Sequence, residues 1–271
     1  MSPVLEVVGL TKRYGDFVAV DAFSLEVGPG ELFALLGTNG AGKTTTLRML
    51  MGILRASAGS ARITGLDCFA DRAEVKRRVG YLPDEPAFQD YLRGRELVRF
   101  VGQMHGLTSR EIEGRAAPMV ERLELGDALD EFAVNYSRGM KKKLALVCAL
   151  IHEPALLILD EPTSGLDPVA MRRLNELLLS RVAEGMTVLL SSHQLDHVQA
   201  LCDRIAILSA GKLAAVGTLA ELRARASAES TLEEIFFAIN DGTARTIEAP
   251  EPGLERTPDT ETEPGPGNQG L

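Results

Sequence analysis

The chain has 271 residues, 45% apolar and 25% charged, with 29 Lys plus Arg against 38 Asp plus Glu and a formal charge of −9. This composition excludes a wholly disordered chain and leaves enough sequence to bury one large core or two unequal ones. The acidic excess also argues against a nucleic-acid binder that depends on overall positive charge.

In chain order, apolar alternation around Val4, Glu6 and Val8, and again along Val18, Val20, Leu25 and Val27, predicts two or three short strands forming an N-terminal antiparallel β subdomain. Gly28-Pro29-Gly30 breaks the chain, and the run 32–36 reads as a buried strand. A glycine-rich turn follows, then a helix with Leu47, Leu50, Met51 and Leu54 on one side. Residues 86–151 carry helical spacing, with Leu97, Phe100, Val101 and Met104, then Val120, Leu123 and Leu125, and are expected to form a helical insertion. Apolar runs at 156–159 and 187–190 flank a predicted helix over 169–184, and 205–208 is a further strand candidate. Such strand–helix–strand units predict an α/β protein with a mostly parallel sheet.

Residues 219–241 are expected to form a C-terminal helical extension. From 242 to 271, five Pro and five Gly with six acidic residues predict a disordered tail. Cys68, Cys148 and Cys202 form no Cys-x-x-Cys pair, which suits a reducing compartment. No secretory signal is expected at the N-terminus, and the longest apolar run, 144–151, is far short of the roughly twenty residues a spanning helix needs.

Gly37-Thr38-Asn39-Gly40-Ala41-Gly42-Lys43-Thr44 fits Gly-x-x-x-x-Gly-Lys-Ser/Thr and stands between a predicted strand and a predicted helix, the context a phosphate loop requires. Its glycines let successive backbone N–H groups point inward, and the helix N-terminus adds roughly half a positive charge. Lys43 is expected on the β and γ phosphates, the Thr44 hydroxyl on Mg²⁺ and Thr45 near the α phosphate. Downstream, Leu156-Leu157-Ile158-Leu159 ends in Asp160 and Glu161; Asp160 is read as holding Mg²⁺ and Glu161 as polarising an attacking water. Ser137 reads as the N-cap of a helix through residue 150, whose Lys141-Lys142-Lys143 looks like a solvated face. His193 and His197 are spaced i, i+4, but no Glu lies within that spacing as in His-Glu-x-x-His, so a metal pair is not expected.

Over residues 4–218 these motifs, in this order, resemble the ATP-binding subunits of ABC transporters, with the run Ser164-Gly165-Leu166-Asp167 after Glu161. The resemblance implies a phosphate-loop NTPase core over 1–218, ATP and Mg as cofactors, and ATP hydrolysis with Glu161 and His193 as catalytic residues. It also implies that Tyr14 stacks on adenine. Tyr136-Ser137-Arg138-Gly139-Met140 is similar to the family's signature, in which Ser137 and Gly139 would meet the γ phosphate of the opposite subunit. The family's glutamine that touches Mg²⁺ is replaced here by Asp84, a tentative metal ligand, and this departure looks like the branch serving drug or lipid exporters with a separate type-2 membrane subunit. The partners implied are a second copy of the chain and an integral membrane permease, with no nucleic acid, at the cytoplasmic face of the cell membrane. The alternative is a soluble ABC-type ATPase acting in assembly or regulation.

Overall fold

The computed structural model describes residues 2–226 and 230–241; the tail expected over 242–271 lies outside them. The first sheet is antiparallel, in the order β2-β1-β4-β5, from β1 (Leu5–Tyr14), β2 (Phe17–Val27), β4 (Ala58–Ile63) and β5 (Leu66–Asp67). β1 and β2 are ten and eleven residues long, but register shifts between Val7 and Leu10, Leu10 and Lys12, and Lys12 and Arg13 interrupt their pairing. Those irregularities re-aim side chains, so two long strands carry the alternation of several short ones.

The second sheet runs β10-β9-β3-β8-β7-β6, from β3 (Leu32–Gly37), β6 (Val79–Leu82), β7 (Leu156–Asp160), β8 (Thr187–Ser192), β9 (Arg204–Ser209) and β10 (Lys212–Gly217). All neighbours are parallel except the β9–β10 pair. Leu32, Ala34 and Leu36 face one core, with Leu157, Leu159, Leu190 and Ile207 beside them. Phe33 and Leu35 face the other, with Ile158, Leu189 and Leu208. Because both faces are covered, these strands read as continuous apolar runs rather than alternating ones. The second core also takes Leu5, Val20 and Phe23 from the antiparallel sheet and Leu47 and Leu50 from α1 (Lys43–Leu50). α1 ends earlier than its apolar spacing suggested, because the chain turns at Gly52. This residue has φ 61°, and a Cβ there would lie 2.2 Å from the Cys68 carbonyl oxygen.

The first core is completed by helices: α3 (Gly94–Met104), α4 (Ser109–Arg122), α5 (Arg138–Leu150) and α6 (Pro168–Ala183), contributing Leu97, Ile112, Leu146 and Leu178 among others. Thr108 starts α4 through a capping box with Glu111, and Asp167 caps α6 ahead of Pro168, signals that fix where these helices begin. The stretch between α4 and α5 is not continuous helix but two short 3-10 turns, 127–130 and 133–135. The small α2 (Arg72–Arg78) buries Val75 alone of its residues, and α7 (Leu195–Leu201), α8 (Leu219–Ala226) and α9 (Leu232–Asn240) close the described fold.

At the junction of α3 and α5, His152 stacks on His105 with ring centroids 3.8 Å apart and planes 12° apart. Burial, helped by His105 and Arg115, lowers the His152 pKa from 6.5 to about 4, and burial together with Arg77 lowers that of His105. Arg115 also donates to the Ile151 carbonyl at 3.2 Å and pairs with Glu153. A histidine held neutral by the fold contributes stability that is present above pH 6.5 and is lost as pH falls towards about 4, because the unfolded chain binds the proton first. His152→Phe keeps a stacking ring without a proton acceptor and should lose less thermal stability across that window. Parallel curves of melting temperature against pH for the two proteins would count against this reading.

Candidate functional site

β3 delivers Gly37 to the loop, and α1 starts at Lys43 with Gly42 as its N-cap. Gly40 and Gly42 have φ of 82° and 102°, and a Cβ on Gly42 would lie 2.6 Å from the Ala19 carbonyl oxygen, so this turn requires glycine. α1 has no side-chain cap, which leaves its N-terminal N–H groups to a ligand or solvent. Thr38, Asn39 and Gly40 are exposed, Ala41 is buried, and Thr44 and Thr45 are half-buried on the first turn. The buried Lys43 ammonium donates to the carbonyls of Gly37 (2.7 Å) and Thr38 (3.2 Å) and lies 3.4 Å from Glu161 Oε1.

Asp160, at the end of β7, is 1% exposed and its Oδ1 accepts a 2.6 Å bond from the Ser191 hydroxyl of β8. The next residue leaves the strand: Glu161 has φ 46°, and its N–H donates to the Ser191 carbonyl and hydroxyl at 3.2 and 3.1 Å. That left-handed turn sends the two carboxylates in different directions. Glu161 Oε2 lies 2.9 Å from His193 Nδ1, while its Oε1 is buried without a hydrogen-bond donor. A carboxylate only accepts, so Nδ1 carries the proton of this contact and Nε2 is left on the other edge of the ring.

Lys43, Glu161 and His193 therefore come together, with Asp160 adjacent. Tyr14 ends β1, is 50% exposed and has Lys12 Nζ 5.1 Å from its ring centroid. Ser137 caps α5, accepting from the Met140 N–H at 3.2 Å, and Gly139 packs beside Gly165 and Leu166. His197 sits apart from His193 in its contacts, bonding Asn175 at 2.8 Å. Among the described residues, no group of three or more His, Cys, Asp or Glu side chains gathers around one metal position.

One residue differs from its sequence reading. Lys142 is not on a solvated face but 1% exposed, bonded to Asp84 and to two backbone carbonyls. Asp84 Oδ1 in turn accepts from Arg138 and Lys142, each at 3.2 Å. The helical period itself held the clue, since 142, 145, 146 and 149 share one face and the last three are apolar.

A parallel sheet whose first central strand runs through a glycine turn into an uncapped helix, with a lysine and two carboxylates at the strand ends, defines a phosphate-loop nucleotide-binding domain. A profile of the ABC transporter family matches residues 20–164. Over 238 residues the chain is 35% identical to the linearmycin resistance ATP-binding protein of Bacillus subtilis (strain 168), covering 88% of this chain and 76% of that one. It is 40% identical over 220 residues to a daunorubicin resistance ATP-binding protein of Streptomyces coeruleorubidus, covering 81% and 70%. A solved structure described as an ATP-binding subunit of an ABC transporter superposes with a TM-score of 0.83 at 33% identity, covering 87% of this chain and 99% of that one. The chain belongs to the ABC transporter family, as one of its ATP-binding subunits.

Proposed function

We propose that the chain hydrolyses Mg-ATP at a site shared by two copies and thereby drives a membrane-embedded permease subunit that exports drug-like compounds. The observation that carries this reading is Glu161, whose carboxylate stands between Lys43 and His193 with one buried oxygen lacking a hydrogen-bond donor. With Lys43 turned to the phosphates, that oxygen would leave its ion pair and could accept a proton from an attacking water. The nine residues 37–45 cradle the phosphates, with Lys43 exchanging its loop carbonyls for phosphate oxygens, and Tyr14 offers an exposed ring for the base. Thr44 and Asp160 fit a cation that retains waters and phosphate oxygens rather than a full protein cage. Magnesium, when bound there, neutralises charge on the β and γ phosphates. His193 would face the γ phosphate with Nε2, its other nitrogen being held by Glu161.

Ser137 and Gly139 open α5 and would present its N-terminus to the nucleotide of the second copy. ATP binding then favours the closed pair, and hydrolysis removes that bias. No helix among the described residues is long and apolar enough to cross a membrane, and a permease partner supplies the spanning part in this reading. The export direction and the drug class of substrate follow the linearmycin and daunorubicin resistance proteins to which the chain is similar. Steady-state phosphate release from the purified full chain should require both ATP and magnesium and stop on chelation. Absence of release at saturating Mg-ATP, with and without the permease, would contradict the reading.

A further inference from the structure

Lys142 is the middle residue of a lysine run, yet its ammonium is wholly buried while Lys141 and Lys143 remain half-buried. A buried ammonium is costly unless each of its donors is met and its charge is balanced. Here the three donors have three acceptors: Asp84 Oδ1 at 3.2 Å, the Ser164 carbonyl at 2.9 Å and the Glu161 carbonyl. Burial lowers the pKa of this lysine, and Asp84 pushes it back up. Arg138 doubles the connection, bonding both Asp84 Oδ1 and Ser164 Oγ at 3.2 Å. One cluster thus ties three segments: the turn after β6, the first turns of α5 and the loop that follows β7.

Glu161 sits at φ 46°, a conformation that a residue with a long side chain keeps only where its surroundings hold it. Its N–H is held by Ser191 and its carbonyl by Lys142. Both peptide planes flanking the residue are therefore fixed, and with them the direction of its carboxylate. We propose that Lys142 is a positioning residue for Glu161: its ammonium grips the Glu161 and Ser164 carbonyls and, through Asp84, ties the base to the segment after β6. Lys142 touches neither nucleotide nor water in this account and acts through Glu161 alone. This rests on the base role proposed for Glu161.

The test is a double-mutant cycle in the full chain, reading kcat, KM and ATP affinity for Lys142→Met, Glu161→Gln and the double variant. Misplacing a catalytic group by about 1 Å costs on the order of 10²-fold, so Lys142→Met should lower kcat by about that factor with KM and ATP affinity within about threefold. In the Glu161→Gln background Lys142→Met should add no further loss, because its effect runs through the missing base. Lys142→Gln, which keeps amide donors for the two carbonyls, should recover part of the rate. A kcat for Lys142→Met within about threefold of wild type overturns the proposal, as does an equal loss in both backgrounds or a KM that moves in step with kcat. Wild-type kcat in Glu161→Gln would instead remove the base role itself, so the two failures are told apart. Should Lys142→Met not fold, Asp84→Asn, which removes the lysine's counter-charge but leaves its two carbonyl acceptors, should lower kcat by about tenfold at unchanged KM, and a wild-type kcat there overturns the proposal equally.

Discussion

Glu161→Gln should bind ATP at least as tightly as wild type and lose about 10² to 10⁴ in turnover, the range general acid–base groups contribute. The substitution is isosteric and should preserve the backbone geometry at φ 46°, while removing the carboxylate proposed to accept the proton of the attacking water. Binding should hold or tighten because the Glu161 carboxylate lies 3.4 Å from Lys43 Nζ and competes with phosphate for that ammonium. A neutral amide releases it. Calorimetric titration with ATP beside steady-state phosphate release separates the two quantities. Turnover within about threefold of wild type would remove Glu161 from the chemistry.

Lys43→Ala should have the opposite signature, with weakened nucleotide binding as the primary loss. Each hydrogen bond to a charged group is worth about 1.5–3 kcal/mol, so losing the ammonium should raise the ATP Kd by about 10 to 100-fold or more. A second consequence follows from burial. Glu161 is 9% exposed and Lys43 is the cation nearest its Oε1, so the variant leaves a buried carboxylate without its ion-pair partner. Lys43→Ala should therefore melt at a lower temperature than wild type, and the double variant with Glu161→Gln should recover part of that loss. An unchanged ATP Kd would contradict the placement of Lys43 on the phosphates.

The parts of this site that the sequence displays are those built from neighbours along the chain. Residues 37–45 carry the turn, the donors and the lysine in one stretch, and Asp160 and Glu161 mark the end of a run apolar enough to be a buried strand. The parallel core strands were legible for the same reason, since burial on both faces writes the apolar run directly into the sequence. β4 was not, because its solvent-facing Ala58-Gly59-Ser60 carries no apolar alternation, nor was β6, which is four residues long. The least visible feature is the cluster around Lys142. Asp84 and Lys142 lie 58 positions apart, and a lysine run on a capped helix describes a solvated face unless the fold buries one member. Net charge was equally uninformative, since in the proposed site an acidic chain would hold its polyanion with one lysine, a helix end and backbone donors.

In the proposed mechanism ATP draws two copies together through residues 37–45 of one and Ser137 and Gly139 of the other. Sedimentation velocity of the Glu161→Gln chain tests it most directly, because slow turnover keeps ATP in place. A dimer should form at saturating Mg-ATP, revert to monomer in Mg-ADP and be abolished by Ser137→Arg. A chain that stays monomeric in Mg-ATP while calorimetry shows the nucleotide bound would contradict it.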